Sequence, residues 1–381
     1  MCYFCTSFIM ERIDILNALL GLLFFVVGVQ LMYYLFLFLR LALYKSPKNV
    51  LKKEEPVSII ICARNEIENL RKNLPIILQQ DYPDFEVIVA NDNSGDGTSD
   101  FLSELATQYA NLREVRYVEN ERYPKGKKFV LTLAIKASKY ELLLLTDADC
   151  EPTGKEWLRI MQQQYKPDTH LVLGYSPYKR AKGLLNRFVR FETFYTALQY
   201  LSYAIAKIPY MGVGRNLSYR KSLFFAYKGF ASHNHLLSGD DDLFVNETSN
   251  STNTVIEINK ETFTYSDAKK TWSGFWQQKS RHLSTGKEYK SKFKYLLGIF
   301  SITHILTYAL TIFLVFFEPT RWFALGAFGV RMFFQYSIFA PIMKKLKCFS
   351  LWWGILLFDF IYVFYYLLIG IKTLLVKNKK W

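Results

Sequence analysis

Leu142-Leu143-Leu144-Leu145-Thr146-Asp147-Ala148-Asp149-Cys150 is a short apolar run that ends in two aspartates one residue apart. Four consecutive leucines, bounded on both sides, read as a strand buried on both faces. In extended backbone, residues i and i+2 point to the same side. Asp147 and Asp149 therefore aim their carboxylates at one small volume beyond the strand. Two like charges that close repel and raise a pKa unless a cation sits between them. Carboxylate oxygens suit Mg²⁺ or Mn²⁺, and Mg²⁺ is usually shared with substrate phosphates. The alternative is a polar turn after a core strand, and the neighbouring segments decide between the two.

Upstream, Val57-Ser58-Ile59-Ile60-Ile61-Cys62 is a β-branched strand that runs into Ala63-Arg64-Asn65-Glu66 and a helical stretch over 67–80. A second strand over 85–90 ends in Asn91-Asp92-Asn93-Ser94-Gly95-Asp96-Gly97-Thr98, which is turn chemistry throughout. A strand over 113–118 and a helix over 127–139 follow. Such alternation predicts an α/β domain: a parallel sheet covered by helices on both faces. In open α/β sheets, ligands bind beyond the carboxyl ends of the strands. Three of these strands end in carboxylate-bearing clusters, which is more informative than any one of them. Neither G-x-G-x-x-G nor G-x-x-x-x-G-K-[ST] occurs, which argues against a dinucleotide fold and a P-loop. Lys125-Gly126-Lys127-Lys128 precedes a helix, where lysines can hold a diphosphate or simply form a solvated turn.

Downstream, a helix over 155–166 and a strand over 170–175 are expected. The stretch 184–208 carries apolar residues at helical spacing with Arg187, Arg190 and Lys207 interspersed. It reads as an amphipathic helix lying on a membrane surface, with a core helix as the alternative. Gly212-Val213-Gly214-Arg215-Asn216 is a glycine-flanked loop. Gly239-Asp240-Asp241-Asp242-Leu243 puts three carboxylates at a helix start, where they can satisfy the helix dipole or supply a general base. Trp272 to His282 reads on its own as a further membrane-surface helix, within which Arg281 could pair with phosphate.

Apolar residues make up 51% of the 381-residue chain and aromatic ones 17%, concentrated at the two ends. The stretch 15–44 is long enough to span a bilayer. Three more spans are expected over 295–317, 322–343 and 350–376. The formal charge of +15 is carried largely by lysines flanking these ends, a pattern suited to anionic lipid rather than nucleic acid. Lys45, Lys48, Lys52 and Lys53 after the first span, and Lys344, Lys345 and Lys347 after the third, place the middle of the chain in the cytoplasm. Lys377, Lys379 and Lys380 after the last span run against that rule. Arg331 sits mid-span with no partner evident, and polar pairs within the spans look almost absent, which argues against a transporter. Cys62 and Cys150 read as packing residues, and Cys2-x-x-Cys5 stands without a second pair.

Taken in order, 57–66, 90–98, 146–149, 212–216, 239–243 and Gln278-x-x-Arg281 resemble the membrane-anchored inverting glycosyltransferases of family 2, which have a GT-A fold. The resemblance implies a membrane anchor over 1–45, a catalytic domain over 56–286 with a GT-A-like, mostly parallel sheet, and C-terminal membrane helices over 295–376. It implies a UDP- or GDP-sugar donor, UDP favoured, held through Ala63, Asn65, Glu66, Asp92, Lys127, Asp147, Gln278 and Arg281. Asp149, with Asp147, would bind Mn²⁺ or Mg²⁺ at the diphosphate. The catalytic base would be Asp241 if the motif is anchored on Gly239, or Asp240 if anchored on Leu243; Asp241 is preferred. A lipid or glycan acceptor would meet the region 199–220. His282 stands where processive relatives have Trp. A nucleotidyltransferase would share the nucleotide and metal but gives no reason for a base near Asp241. A membrane scaffold retaining the fold would make the carboxylates dispensable.

Overall fold

The computed structural model describes residues 2–46, 54–118, 126–236, 238–283 and 285–375. Lys48, Lys52, Lys53, Lys125, Lys377, Lys379 and Lys380, and the side chains of Cys2, Cys5 and His282, lie outside the described residues. The chain divides into two compact units, one built from helices at the two ends and one from the middle.

The middle unit contains strands β1 (Val57–Ala63), β2 (Phe85–Asp92), β3 (Leu112–Tyr117), β4 (Leu142–Asp147), β5 (Glu151–Pro152), β6 (Leu171–Leu173), β7 (Leu217–Arg220), β8 (Thr254–Ile256) and β9 (Thr264–Tyr265). Seven of them form one sheet in the order β3-β2-β1-β4-β7-β6-β8, and β5 pairs with β9. β3, β2, β1 and β4 are parallel, as the strand-helix alternation predicts. β7 is the exception: it runs antiparallel to both β4 and β6. It is only four residues long and includes Ser218 and Arg220, so it lacks the apolar run that marks the other central strands.

One face of the sheet presents Ile59, Ile61, Val87, Val89, Leu142 and Leu144 to Leu70, Leu74 and Ile77 of the helix Ile67–Leu78 and to Trp157 and Met161 of the helix Trp157–Gln162. Ile60, Ile88, Leu143 and Leu145 face the other way and are buried too, as are Val130, Leu131, Ala134 and Ile135 of the helix Lys127–Ala137. Register matters most for the site. Cys62 pairs with Ala90 on one side and Asp147 on the other, and Asp92 pairs with Tyr117. The polar ends of β1, β2 and β4 therefore stand level along one edge.

The helix Leu184–Ile205 is a core helix, not a surface one. Phe188, Phe191, Phe194, Tyr195, Leu198 and Leu201 are all buried, which an amphipathic surface helix does not allow. Two of its charged residues, Arg190 and Glu192, are buried as well, so they imitate a polar stripe that the fold does not have; Arg187 is exposed. The helix Trp272–Leu283 packs on it rather than standing alone at a surface. Phe275 is fully buried 5.7 Å from the Phe188 ring, and Lys279 Nζ lies 2.5 Å from Glu192 Oε2.

The other unit contains four helical segments, 13–43, 291–315, 318–345 and 349–368, that are long and apolar enough to cross a membrane. Leu23, Val26 and Val27 of the first pack with Leu310 and Leu314 of the second and Ala324 and Ala327 of the third. Their interior is not free of polar pairs, which corrects the reading from sequence. Arg331 lies 2.8 Å from Asp359, and its guanidinium also donates to Gln335 and to His304 Nδ1. Asp359 accepts in addition from the Tyr308 hydroxyl and the Gln335 amide. All of these except Tyr308 are fully buried, and the ring of Tyr34 lies 5.8 Å from the guanidinium.

Candidate active site

The first two loops at the level edge are fastened to each other. Asn65 adopts φ 55°, its N–H donates to Ser94 Oγ, and its own Oδ1 accepts from the Gly95 N–H at 2.9 Å. Asp96 accepts from the Ile67 N–H and from the Thr98 hydroxyl. Burial would raise its carboxyl, but the Thr98 hydroxyl and the backbone N–H donors together hold it below the usual range. Asp96 thus caps the helix Ile67–Leu78 and is occupied in joining the loops. Ala63 ends β1 and Asp92 ends β2, with Asn65 and Glu66 following in the first of these loops. Asp92 is buried with Arg64 3.7 Å away, and Glu66 accepts from the Asn69 amide. Burial raises the Glu66 carboxyl, with Asp149 and Asp147 adding to the effect.

β4 ends on Asp147, and the backbone turns at once through a Cys150 N–H to Asp147 carbonyl bond. The Asn73 amide holds the Ala148 carbonyl at 2.9 Å, which fixes the position of both aspartates. Burial raises the Asp149 carboxyl, the Asp147 charge adds to this, and Arg215 opposes it. Among the described residues, no group of three His, Cys, Asp or Glu side chains converges as a metal cage. Two adjacent carboxylates fit a hard divalent cation that takes its remaining ligands from water and phosphate.

Lys127, the first residue of its helix, joins β4 to the aspartate triplet: its Nζ lies 2.9 Å from Asp147 Oδ1 and 3.0 Å from Asp240 Oδ2. Burial would lower its pKa, but Asp147 and Asp240 hold it well above the usual lysine range. The three aspartates diverge. Burial would raise Asp240, but Lys127 keeps it below the usual carboxylate range. Asp241 accepts from the Gly214 N–H at 2.7 Å and from the Asp242 N–H at 2.8 Å, capping the helix Asp242–Thr248. Burial first, then the charges of Asp240 and Asp242, push its carboxyl up to about 7. Asp242 turns inward, where Tyr289 and Thr285 donate to it. Gly239 permits the turn: its φ is +102°, and an added Cβ would lie 2.6 Å from Leu243. Cys62, Lys127, Thr146, Asp147, Asp240 and Asp241 share one recess, lined also by Gly214.

Gln278 reaches the site indirectly. Its amide donates to the Tyr178 hydroxyl at 3.2 Å, and the Arg215 guanidinium stacks 4.4 Å from the Tyr178 ring. Arg281 is exposed one turn further along the helix. Arg215 stands in the 212–216 loop, where the sequence alone assigns it no role. It is anchored on Ser266; burial would lower its pKa, but Tyr178 and Cys150 first, then Asp149 and Asp147, raise it. Its loop is set by Asn216, which bonds the carbonyls of Tyr175 and Thr262 and accepts from the Trp157 indole. An arginine directly after Gly212-Val213-Gly214 is the only signal the sequence carries for it.

Residues 58–226 match the family described as Glycosyl transferase family 2. The Bacillus subtilis protein named "Probable glycosyltransferase YdaM" is 27% identical over 247 residues, 60% of this chain and 55% of its own. A poly-beta-1,6-N-acetyl-D-glucosamine synthase of Staphylococcus epidermidis is 31% identical over 121 residues, 31% of this chain and 27% of its own. The chain thus spans about half the length of the first of these curated relatives and less of the second. Among solved structures, the mannosyltransferase PcManGT from Pyrobaculum calidifontis, in complex with GDP-Man and Mn²⁺, superposes over 92% of this chain and 99% of that one. Its TM-score is 0.56 at 18% identity, a likeness of fold. Residues 58–226 thus form a glycosyl transferase family 2 domain, and the fold is GT-A.

Proposed function

We propose that this chain moves a sugar from a nucleotide-sugar donor, UDP-sugar favoured, to a hydroxyl of a lipid or glycan acceptor with inversion at the anomeric carbon. The observation that carries this reading is the Lys127 bridge. It joins the paired aspartates at the end of β4 to the carboxylate triplet, so a donor site and a base site share one recess. The loops at Ala63, Asn65, Glu66 and Asp92 would hold the nucleoside. Asp149 and Asp147 would hold Mn²⁺ or Mg²⁺, which supplies Lewis-acid stabilisation of the diphosphate when bound. Lys127, Arg215 and Arg281 offset the charge that builds on the leaving diphosphate. Asp241 accepts the acceptor hydroxyl proton while that oxygen bonds to the anomeric carbon and the bond to the diphosphate oxygen breaks. A carboxyl near 7 suits that task at neutral pH better than Asp240, which Lys127 holds low. The domain spanning 56–286 would do the chemistry on the cytoplasmic face, and the apolar helices before and after it would hold it beside a membrane-borne acceptor.

The test is nucleoside diphosphate release by the purified full chain in detergent, offered a panel of UDP- and GDP-sugars with Mn²⁺ or Mg²⁺ and membrane lipid extract. Lipid-dependent release is expected with one donor. Asp149→Asn should lower it about a hundredfold or more, the scale of several kcal/mol of lost charge stabilisation. Nucleotide binding absent from wild type and variant alike would overturn the reading and leave a scaffold that keeps the fold.

A further inference from the structure

Asp242 takes no part in the recess, yet it is buried and fully engaged. One carboxylate oxygen accepts from the Leu243 N–H at 2.8 Å. The other accepts from the Thr285 and Tyr289 hydroxyls, the latter at 2.8 Å. Hydrogen bonds to an ionised acceptor are roughly twice as strong as neutral ones. Tyr289 in turn packs its ring 5.9 Å from that of Tyr210. The Tyr210 carbonyl accepts at 2.8 Å from the side-chain amide of Asn246. Asn246 lies four residues after Asp242 on the same helix, so the two share a face. The contacts therefore close a ring: Asp242, Tyr289, Tyr210, Asn246 and back through one helical turn. Tyr210 starts the loop whose other end, the Gly214 N–H, is held by Asp241. One short helix thus grips both ends of the 210–214 loop, one end through the ring and the other through the candidate base itself.

We infer that Asp242 is a positioning residue: through Tyr289 it fixes the 210–214 loop, and with it the direction in which Asp241 meets an acceptor. This rests on the transferase reading, so the test carries one arm that needs no turnover. Tyr289→Phe and Thr285→Val remove only the two hydroxyl donors and keep the shapes. In amide hydrogen exchange on the full chain, the double variant should speed exchange over 210–214 and 239–243 while β1, β2 and β4 stay protected. In the turnover arm its kcat should fall about tenfold or more, because small misplacements of reacting groups are costly. Affinity for UDP or GDP with Mn²⁺ should stay within about twofold, since the ring contains no donor-side residue. Asp242→Asn supplies the conservative control. An asparagine still accepts the Leu243 N–H, and its amide can donate to hydroxyl oxygens. It should keep most of the activity, which a proton-accepting aspartate could not do. Unchanged exchange over 210–214 overturns the inference even if no donor turns over. An equal loss of nucleotide affinity overturns it by placing Asp242 in the donor site.

Discussion

Asp240, Asp241 and Asp242 are neighbours in the chain, yet their carboxylates face Lys127, the Gly214 N–H and the Tyr289 hydroxyl respectively. At a helix start the backbone leaves extended geometry within one residue, so adjacent side chains diverge by more than a strand or helix pattern allows. Sequence could therefore name the triplet but not divide its labour. The division has a consequence for pH. A base must be ionised to take a proton, and burial with two flanking charges holds Asp241 near 7. Transfer should therefore fall as pH drops through about 7. Asp240→Asn removes one of the charges that raise Asp241, so the acid limb of kcat should move to lower pH, with activity retained above it. The measurement is the pH profile of diphosphate release for both proteins. An Asp240→Asn variant inactive at every pH would assign proton transfer to Asp240 instead. Asp147 and Asp149 do come near each other, but not by the extended backbone expected: β4 ends at Asp147, and the turn closed by the Cys150 N–H to Asp147 carbonyl bond brings Asp149 close to it.

Among the elements, the parallel half of the sheet could be read because β1, β2 and β4 are continuous apolar runs ending in polar clusters. The helix Leu184–Ile205 could not. Its charged residues imitate a polar stripe, and the partner that neutralises Glu192 comes from Lys279, far along the chain. Periodicity reports which residues alternate, not which charges meet after folding. The pair is buried, with side-chain exposures of 13% for Lys279 and 5% for Glu192, so it behaves unlike a surface bridge. Lys279→Met leaves the Glu192 charge buried without its lysine, and a change of that kind costs about 3–5 kcal/mol. The expected outcome is a clear drop in unfolding temperature of the detergent-solubilised chain. Adding Glu192→Leu should recover much of the loss, because an apolar pair of similar size fits a site already walled by Phe188 and Phe275. A double variant no more stable than Lys279→Met would show that the loss does not come from a stranded Glu192 charge. Strand β7 escaped notice for a related reason: its place between β4 and β6 is secured by Ser218, which donates to the Leu143 carbonyl, rather than by an apolar run.

Across the whole molecule, the helices at the two ends combine apolar surfaces with one buried ionic cluster. Arg331 looked unpartnered in the sequence because Asp359 lies 28 residues away and only helix packing brings them to 2.8 Å. In a bilayer, unpaired charge at this depth is expensive, so the cluster keys the helices to one arrangement. Arg331→Leu should sharply lower the yield of monodisperse protein by stranding Asp359. Arg331→Leu with Asp359→Leu should restore it, and size exclusion in detergent reads both. If these helices cross a membrane, their flanks predict the direction. Lys45 follows the first segment, Lys287, Lys290, Lys292 and Lys294 surround the start of the second, and Lys344, Lys345 and Lys347 end the third. The turn between the second and third has only Arg321 nearby. Lysine and arginine favour the cytoplasmic side, so the expectation is that the middle unit and Lys347 lie inside and Phe316 outside. Single cysteines at Phe316, Tyr227 and Lys347, in a chain whose native cysteines are replaced, make this measurable. Phe316 is 76% exposed and Tyr227 41%, so both sites are open to reagent. A membrane-impermeant maleimide added to intact cells should label Phe316→Cys alone, and in inverted vesicles it should label the other two. Labelling of Tyr227→Cys from outside would put the sugar-transfer site away from cytoplasmic nucleotide sugars and remove the reason for UDP- or GDP-sugar donors.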